Sequence, residues 1–340
     1  MMSFPEPEVD MQRREFIALL GGAAVALPLG APRPAKAQTS KIYRLGTLIP
    51  GAPMIASDAR AAILIKALAQ RGYVLGQNLV YEARGSAGKS EQLPRLMQEL
   101  KDANVDVVVT FGYPAAVVAK VSGVATVLAS GSGDPVATGL VESLARPGGN
   151  VTGIADDAAM LSTKRLSLLK SLLPGLRKVA MLWNKDDRGM SLRYVASEKA
   201  AQAIGVAVEA LGVREPDDFN EAFAAMDREK PEAILMVSDS LTVLNRKRVI
   251  EYANARKLPA IYEADSIVRD GGLMSYGADP RESLDRAAAL VDRIFKGAKP
   301  ADLPVEQPTR YLFVINMKIA KSMGLAVPNT LVALADEVIE

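Results

Sequence analysis

Two successive sets of short apolar runs, separated by amphipathic stretches, constrain this chain more than any other feature. From Lys41 on, the first set is Ile42–Ile49, Leu79–Ala83, Val105–Phe111 and Thr126–Ala129; the second is Val179–Trp183, Val206–Leu211, Ala233–Val237 and Ala260–Tyr262. Each run is short and apolar, as strands of a parallel sheet are when helices cover both faces. Between the runs the period becomes helical. Behind Asp217, a candidate N-cap, Phe219, Ala222, Phe223 and Met226 follow the i, i+3, i+4, i+7 rule. Ala287, Leu290, Val291, Ile294 and Phe295 form a second stripe, and Gly297 followed by Pro300 supplies its stop. Such alternation specifies an α/β chain with parallel sheets. Corresponding strands of the two sets are offset by about 130 residues, Ile42 against Val179 and Thr126 against Ala260, so two similar Rossmann-like lobes joined by a hinge are expected.

Two Pro/Gly-rich segments are the candidate junctions. Arg146-Pro147-Gly148-Gly149-Asn150 precedes a strand-like Val151–Ile154 and a helix over Thr163–Leu173. Lys299–Gln307 is stiffened by its prolines and leads to a further strand, Tyr311–Ile315, and a short helix, Lys318–Met323. The expected division is an N-terminal lobe of 38–152 with part of 300–340 and a C-terminal lobe of 153–299, with 300–340 crossing between them.

Composition removes several function classes. The 340 residues carry 41 Lys and Arg against 39 Asp and Glu, and the longest basic cluster is Arg246-Lys247-Arg248, so the electrostatic footprint of a nucleic-acid binder is missing. Neither His nor Cys occurs, which excludes Ser-His-Asp triads, Cys nucleophiles, His or Cys zinc sites, disulfides and a lipoprotein cysteine. No cofactor and no catalytic or metal site is expected. An exported enzyme using Asp134, Asp239 or Glu263 as general acid and base remains an alternative. So does the ligand-binding partner of a sensor.

The N-terminus reads as an export signal. Gln12-Arg13-Arg14-Glu15-Phe16-Ile17 places two arginines before an apolar stretch, Phe16 to Leu29, that resembles a twin-arginine leader. At about 14 residues it is short of the ~20 that span a bilayer. Ala35-Lys36-Ala37 then offers a cleavage pattern, so residues 1–37 are expected to be removed and the mature chain to start near Gln38 in the periplasm; Met11 is a second candidate start.

Several segments carry a family resemblance. Gly133-Asp134-Pro135-Val136-Ala137-Thr138-Gly139-Leu140-Val141, Leu144-Ala145-Arg146-Pro147-Gly148-Gly149-Asn150-Val151-Thr152-Gly153, Leu182-Trp183-Asn184, Gly271-Gly272-Leu273-Met274-Ser275-Tyr276-Gly277 and Leu303-Pro304-Val305-Glu306-Gln307-Pro308 resemble the ABC-transporter substrate-binding proteins related to tryptophan- and phenylalanine-binding lipoproteins, over residues 41–340. The resemblance implies a type I periplasmic-binding fold, no enzymatic activity, and delivery of a captured solute, often an aromatic amino acid, to an inner-membrane permease. A monomer that binds no nucleic acid is expected.

In open parallel sheets, ligands bind beyond the carboxyl ends of the strands, near helix N-termini. On that basis the candidate ligand residues are those leaving the strands. Gly112, Tyr113 and Pro114 form a strand-to-helix turn, with Tyr113 where the family usually has Thr. Ser132 and Asp134 follow the next strand, and Asp134 is either an ammonium partner or a turn residue before Pro135. Asp239 is either an ammonium partner or an N-cap. Asn184 leaves the strand that carries the sole Trp, Trp183, a ligand-stacking or a packing residue. Glu263 and Tyr276 are further candidates, and Gly51 with Met54 would give the first loop an adaptable apolar wall.

Overall fold

The computed structural model describes residues 41–155 and 157–340. The export signal lies outside them. The first sheet contains β1 (Tyr43–Ile49), β2 (Leu79–Gly85), β3 (Val107–Phe111), β4 (Thr126–Ser130) and β5 (Val151–Gly153), all parallel, in the order β2-β1-β3-β4-β5. Its crossovers are α1 (Ala59–Ala69), α2 (Leu93–Asp102) and α3 (Tyr113–Ser122). Leu45, Val107, Val109 and Val127 are buried with the apolar side of α1, while Leu48 and Val108 are buried with α2 and α3, so both sheet faces are covered.

The second lobe opens with α4 (Ala158–Leu172) and repeats that topology. Its strands are β6 (Lys178–Asn184), β7 (Ala207–Val213), β8 (Ala233–Met236), β9 (Ala260–Tyr262) and β10 (Met274–Ala278), parallel and ordered β7-β6-β8-β9-β10. Between them run α5 (Arg188–Ala203), α6 (Asp218–Glu229), α7 (Ser240–Leu244), α8 (Arg246–Arg256) and α9 (Asp265–Arg269). The architectural repeat read from strand spacing is therefore present, strand for strand.

The last helix of the second set departs from the expected lobe division. Helix α10 (Pro280–Phe295) was assigned to the C-terminal lobe, yet its buried residues Leu284, Ala287, Val291 and Phe295 join Leu64 and Leu68 in the core of the first. An amphipathic stripe reports that a helix face is buried; it does not report against which sheet. Residues 300–307 also stay with the first lobe: Val305 N donates to Leu144 O at 2.7 Å, Glu306 N to Gly153 O at 2.8 Å, and Thr152 Oγ1 to Leu303 O at 2.7 Å. The chain then returns to the second sheet as β11 (Tyr311–Asn316), antiparallel to β10, followed by α11 (Met317–Met323), α12 (Asn329–Ala333) and β12 (Glu337–Ile339), parallel to β11. Three strands of chain thus join the lobes: between β5 and α4, between β10 and α10, and between Gln307 and Tyr311. The last two run side by side, with Asp279 N donating to Arg310 O at 3.0 Å.

Candidate functional site

The loops leaving the parallel strands of one lobe meet those of the other. On one side, a Cβ on Gly88 would lie 3.3 Å from Leu244 Cδ1, and one on Gly51 would lie 3.7 Å from Ser240 Oγ. On the other, Arg188 Nη2 donates to Ala137 O at 3.2 Å. Between them, a Cβ on Gly133 would come within 2.8 Å of Gly189 Cα, so backbone touches backbone and the lobes are closed.

The first wall is built from three turns. Gly51 is buried and its carbonyl accepts from Ala87 N at 2.8 Å, while Ser86 Oγ donates to Pro50 O at 2.8 Å; the loop after β1 is pinned to the one after β2. Gly112 has φ +83°, ψ 150°, a region that only glycine adopts without strain, and the helix behind it starts with Tyr113-Pro114. The turn after β4 lies alongside: Gly112 N donates to Ser130 O at 2.9 Å. Ser132, 1 % exposed, has an Oγ without a hydrogen-bond partner among the described residues.

The second wall is acidic. Asn184, at the end of β6, donates from Nδ2 to Asp239 Oδ2 at 2.7 Å. Asp239 caps α7 in a reciprocal box, accepting from Thr242 N at 2.8 Å while Thr242 Oγ1 accepts from Asp239 N at 2.9 Å. Its second carboxylate oxygen is thereby turned to Asn184. Asp187 caps α5, accepting from Met190 N at 3.1 Å, and is 3 % exposed. Burial first and the charge of Asp239 second push its carboxyl up to about 7, against the pull of the Met190 and Gly189 amides and of Arg193. Asp187 Oδ1, Ser132 O and Tyr113 Cβ all lie within 3.2 Å of the position a Gly189 Cβ would take, so this carboxyl sits at the seam of the lobes.

Four candidates from the sequence sit elsewhere. Met54 is fully buried in the core of the first lobe, and its carbonyl accepts from Tyr81 Oη at 2.5 Å; a flexible apolar side chain was absorbed by packing. Asp134 is exposed and caps its own turn, accepting from Val136 N at 2.9 Å and Ala137 N at 3.0 Å; it borders a groove of about 650 Å³ beside Ala137, Leu144 and Lys199 instead. Glu263 is held by two arginines, accepting from Arg165 Nη1 at 2.8 Å and Arg193 Nη1 at 3.5 Å, so its charge is already committed. Tyr276 lies mid-strand in β10 opposite Phe313, its ring stacked on Tyr311. Trp183 resolves to packing, stacked on Tyr194 with centroids 3.8 Å apart.

Sequence reasoning missed Asp187, Gly189, Arg165 and Arg193. A signal existed for the arginines. Arg165 occupies a core position among Leu161, Leu166, Leu168, Leu169 and Leu172 of α4, and Arg193 one among Met190, Ser197 and Ala201 of α5. A cation on a buried stripe has to be paired.

Residues 54–339 match the family model described as ABC transporter substrate binding protein. The chain belongs to this family. A curated relative, the tyrosine-binding protein of Clostridioides difficile (strain R20291), is 24% identical over 262 residues, which cover 77% of this chain and 75% of the relative. Two solved structures, a conserved domain protein of Vibrio cholerae and the ABC domain from Streptococcus pneumonia in complex with L-Trp, are each 25% identical, with TM-scores of 0.81 and 0.80; the match covers 88% of this chain and all of theirs. The fold is the type I periplasmic-binding one, and the family is one of ligand-binding proteins of ABC transporters. No helix among the described residues is long and apolar enough to cross a membrane.

Proposed function

We propose that the chain is the extracytoplasmic solute receptor of an ABC importer, a periplasmic monomer that captures an aromatic or otherwise apolar amino acid by hinge closure. It then hands the ligand to an inner-membrane permease. The observation that carries this reading is the placement of Asn184, Asp187 and Asp239 on one wall, facing the turns of Gly51, Gly112 to Pro114 and Ser132 on the other. The buried Asp187 and the half-buried Asp239 at the lobe seam call for a cation, and an α-ammonium supplies one; the opposite wall offers an unpartnered hydroxyl and a helix start for the carboxylate. The names of the tyrosine-binding relative and of the L-Trp complex support the same ligand class. The order of charged, apolar and small residues before Gln38 supports export. Of three carboxylates available to the enzyme alternative, Asp134 caps a turn and Glu263 is ion-paired, which favours the receptor.

Closure follows from differential affinity: a ligand held by one wall gains the contacts of the other only when the lobes meet. The test is thermal unfolding with a panel of amino acids, aromatic acids, sugars and polyamines. At ~100 times its dissociation constant a ligand adds about 2.7 kcal/mol, several degrees for a chain of this length. L-Tyr or L-Trp is expected to give that shift, and a shift with sugars alone defeats the reading. Asp239→Ala is expected to abolish the response, whereas Asp134→Ala changes it less than twofold in affinity because its carboxylate serves only the local turn.

A further inference from the structure

Where the lobes can turn is set by the hydrogen bonds of the segments that join them. Each of the three crossings is tied to the first lobe up to a definite residue. The one that follows β5 is held through Ala155, whose N donates to Glu306 O at 2.9 Å. The one that returns to β11 is held by two side chains of α10, a helix whose buried face lies in the core of the first lobe. Arg286 donates from Nε to Glu306 Oε2 at 2.8 Å and from Nη1 to Gln307 O at 2.6 Å. Glu282 takes the residues beyond: its carboxylate accepts from Thr309 Oγ1 at 2.6 Å, Thr309 N at 3.1 Å and Arg310 N at 2.8 Å, and Arg286 Nη1 donates to it at 3.1 Å. The crossing from β10 to α10 is tied in turn to Arg310, by the bond from Asp279 N and by an Asp279–Arg310 ion pair at 3.4 Å. One step further along, Ala278 and Tyr311 are already a register pair of β10 and β11 in the second sheet. Arg165 of α4 fixes that end through Tyr276 O at 2.7 Å.

We propose that Glu282 clamps the hinge: it holds both C-terminal crossings to the first lobe, so that in these crossings the lobes turn only about the backbone of Ala278–Asp279 and Arg310–Tyr311, and the ligand-free receptor opens to a narrow range of angles. A hinge absorbs its rotation in a few residues, and charge-assisted bonds from one carboxylate to two consecutive backbone N–H groups take Thr309 and Arg310 out of that set. Without the clamp, residues 307–310 bend as well. Open forms then multiply, the one that leads to closure becomes a smaller share of them, and apparent affinity falls by that share. The inference rests on the hinge-closure reading and not on which ligand is captured.

Distances between two spin labels test this. The chain has no Cys, so Ser90→Cys and Glu251→Cys, both at exposed positions, carry the labels alone. They flank the side where Gly88 meets Leu244; β2, which leads to Gly88, is the sheet edge opposite β5, where the first crossing leaves, so rotation displaces this side most. Without ligand, the labelled protein with Glu282 intact is expected to give one narrow distribution of distances and Glu282→Ala one about twofold wider. L-tyrosine or L-tryptophan is expected to shorten the distance in both, with about tenfold more amino acid needed in the variant. Glu282→Gln keeps the size and one acceptor oxygen; it should fall between the two, and it decides the matter if the alanine variant does not fold. Tyr73→Phe removes the Oη bond to Asp292, 2.8 Å long, inside the first lobe and touches no crossing; it is expected to lower the melting temperature and leave the width unchanged, which separates the clamp from a loss of stability. Equal widths with Glu282 and with its substitutes overturn the proposal whatever the ligand is. A wider distribution in the variants of a protein that neither amino acid closes upholds the clamp and overturns the amino-acid reading alone.

Discussion

Replacing Gly189 by valine is expected to weaken capture of whichever ligand stabilises the wild type by about 100-fold while leaving the ligand-free melting temperature within a few degrees. Gly189 sits in the first turn of α5, where a side chain costs the helix nothing. Its would-be Cβ lies 3.0 Å from Ser132 O and 3.1 Å from Tyr113 Cβ, atoms of the other lobe, and valine's methyls extend beyond that. The two tightest conflicts exist only when the lobes meet; the third, with Asp187 Oδ1 at 3.2 Å, lies within the second lobe and is relieved by a small shift of that side chain. If the closed form becomes 100-fold rarer, apparent affinity falls by the same factor. Gly133→Ala attacks the same contact from the first lobe, with a Cβ 2.8 Å from Gly189 Cα, and adds strain from φ +70°. Small-angle scattering would show both variants remaining extended with ligand present. Wild-type affinity in both variants would mean that binding does not need this closure.

Arg165→Met is expected to cost about 3–5 kcal/mol, on the order of 10 °C in melting temperature. Arg165 is 2 % exposed; its Nε donates to Tyr276 O at 2.7 Å and its Nη1 to Glu263 Oε1 at 2.8 Å, tying α4 to the exit of β9 and the middle of β10. Removing it leaves Glu263, among the described residues, with the longer contact to Arg193 and takes the side-chain donor from Tyr276 O. Glu263→Gln in the same chain should restore part of the loss, because a neutral amide needs no buried countercharge. Additive effects of the two substitutions in a double-mutant cycle would show that the pair is not coupled.

Most strands of both sheets could be read from sequence because they are short apolar runs, and their spacing carried the repeat; β10, in a Gly-rich segment, and β12, three half-buried residues at Glu337–Ile339, were not read as strands. The edge strand β2 is mostly half-buried, yet its start at Leu79 was still marked by the pattern. The placement of α10 was not readable, since its stripe of Leu284, Ala287, Val291 and Phe295 fits either sheet equally well. Topology alone led to Gly51, Gly112, Ser132, Asn184 and Asp239, and the structure has them at the ends of the strands or in the turns that leave them. What misled was chemistry judged one residue at a time: Glu263 looked free because its arginines lie 98 and 70 residues away in sequence. Asp134 looked like a ligand group because nothing in the chain says whether an Asp before Pro turns inward or caps itself. Asp187 was passed over beside Asp186, and only the three-dimensional approach of Asp239 distinguishes them.

The interleaving of the lobes bears on when the protein acquires its shape. Helix α10 and residues 300–307, which complete the first lobe, are made only after the core strands β6 to β10 of the second, and the second still lacks β11 and β12 at that point. Domains ordinarily fold one after another as they leave the ribosome, the N-terminal one first. Here neither half can finish until the segment through β12 has emerged, so the first lobe waits for the second and both halves mature in one step.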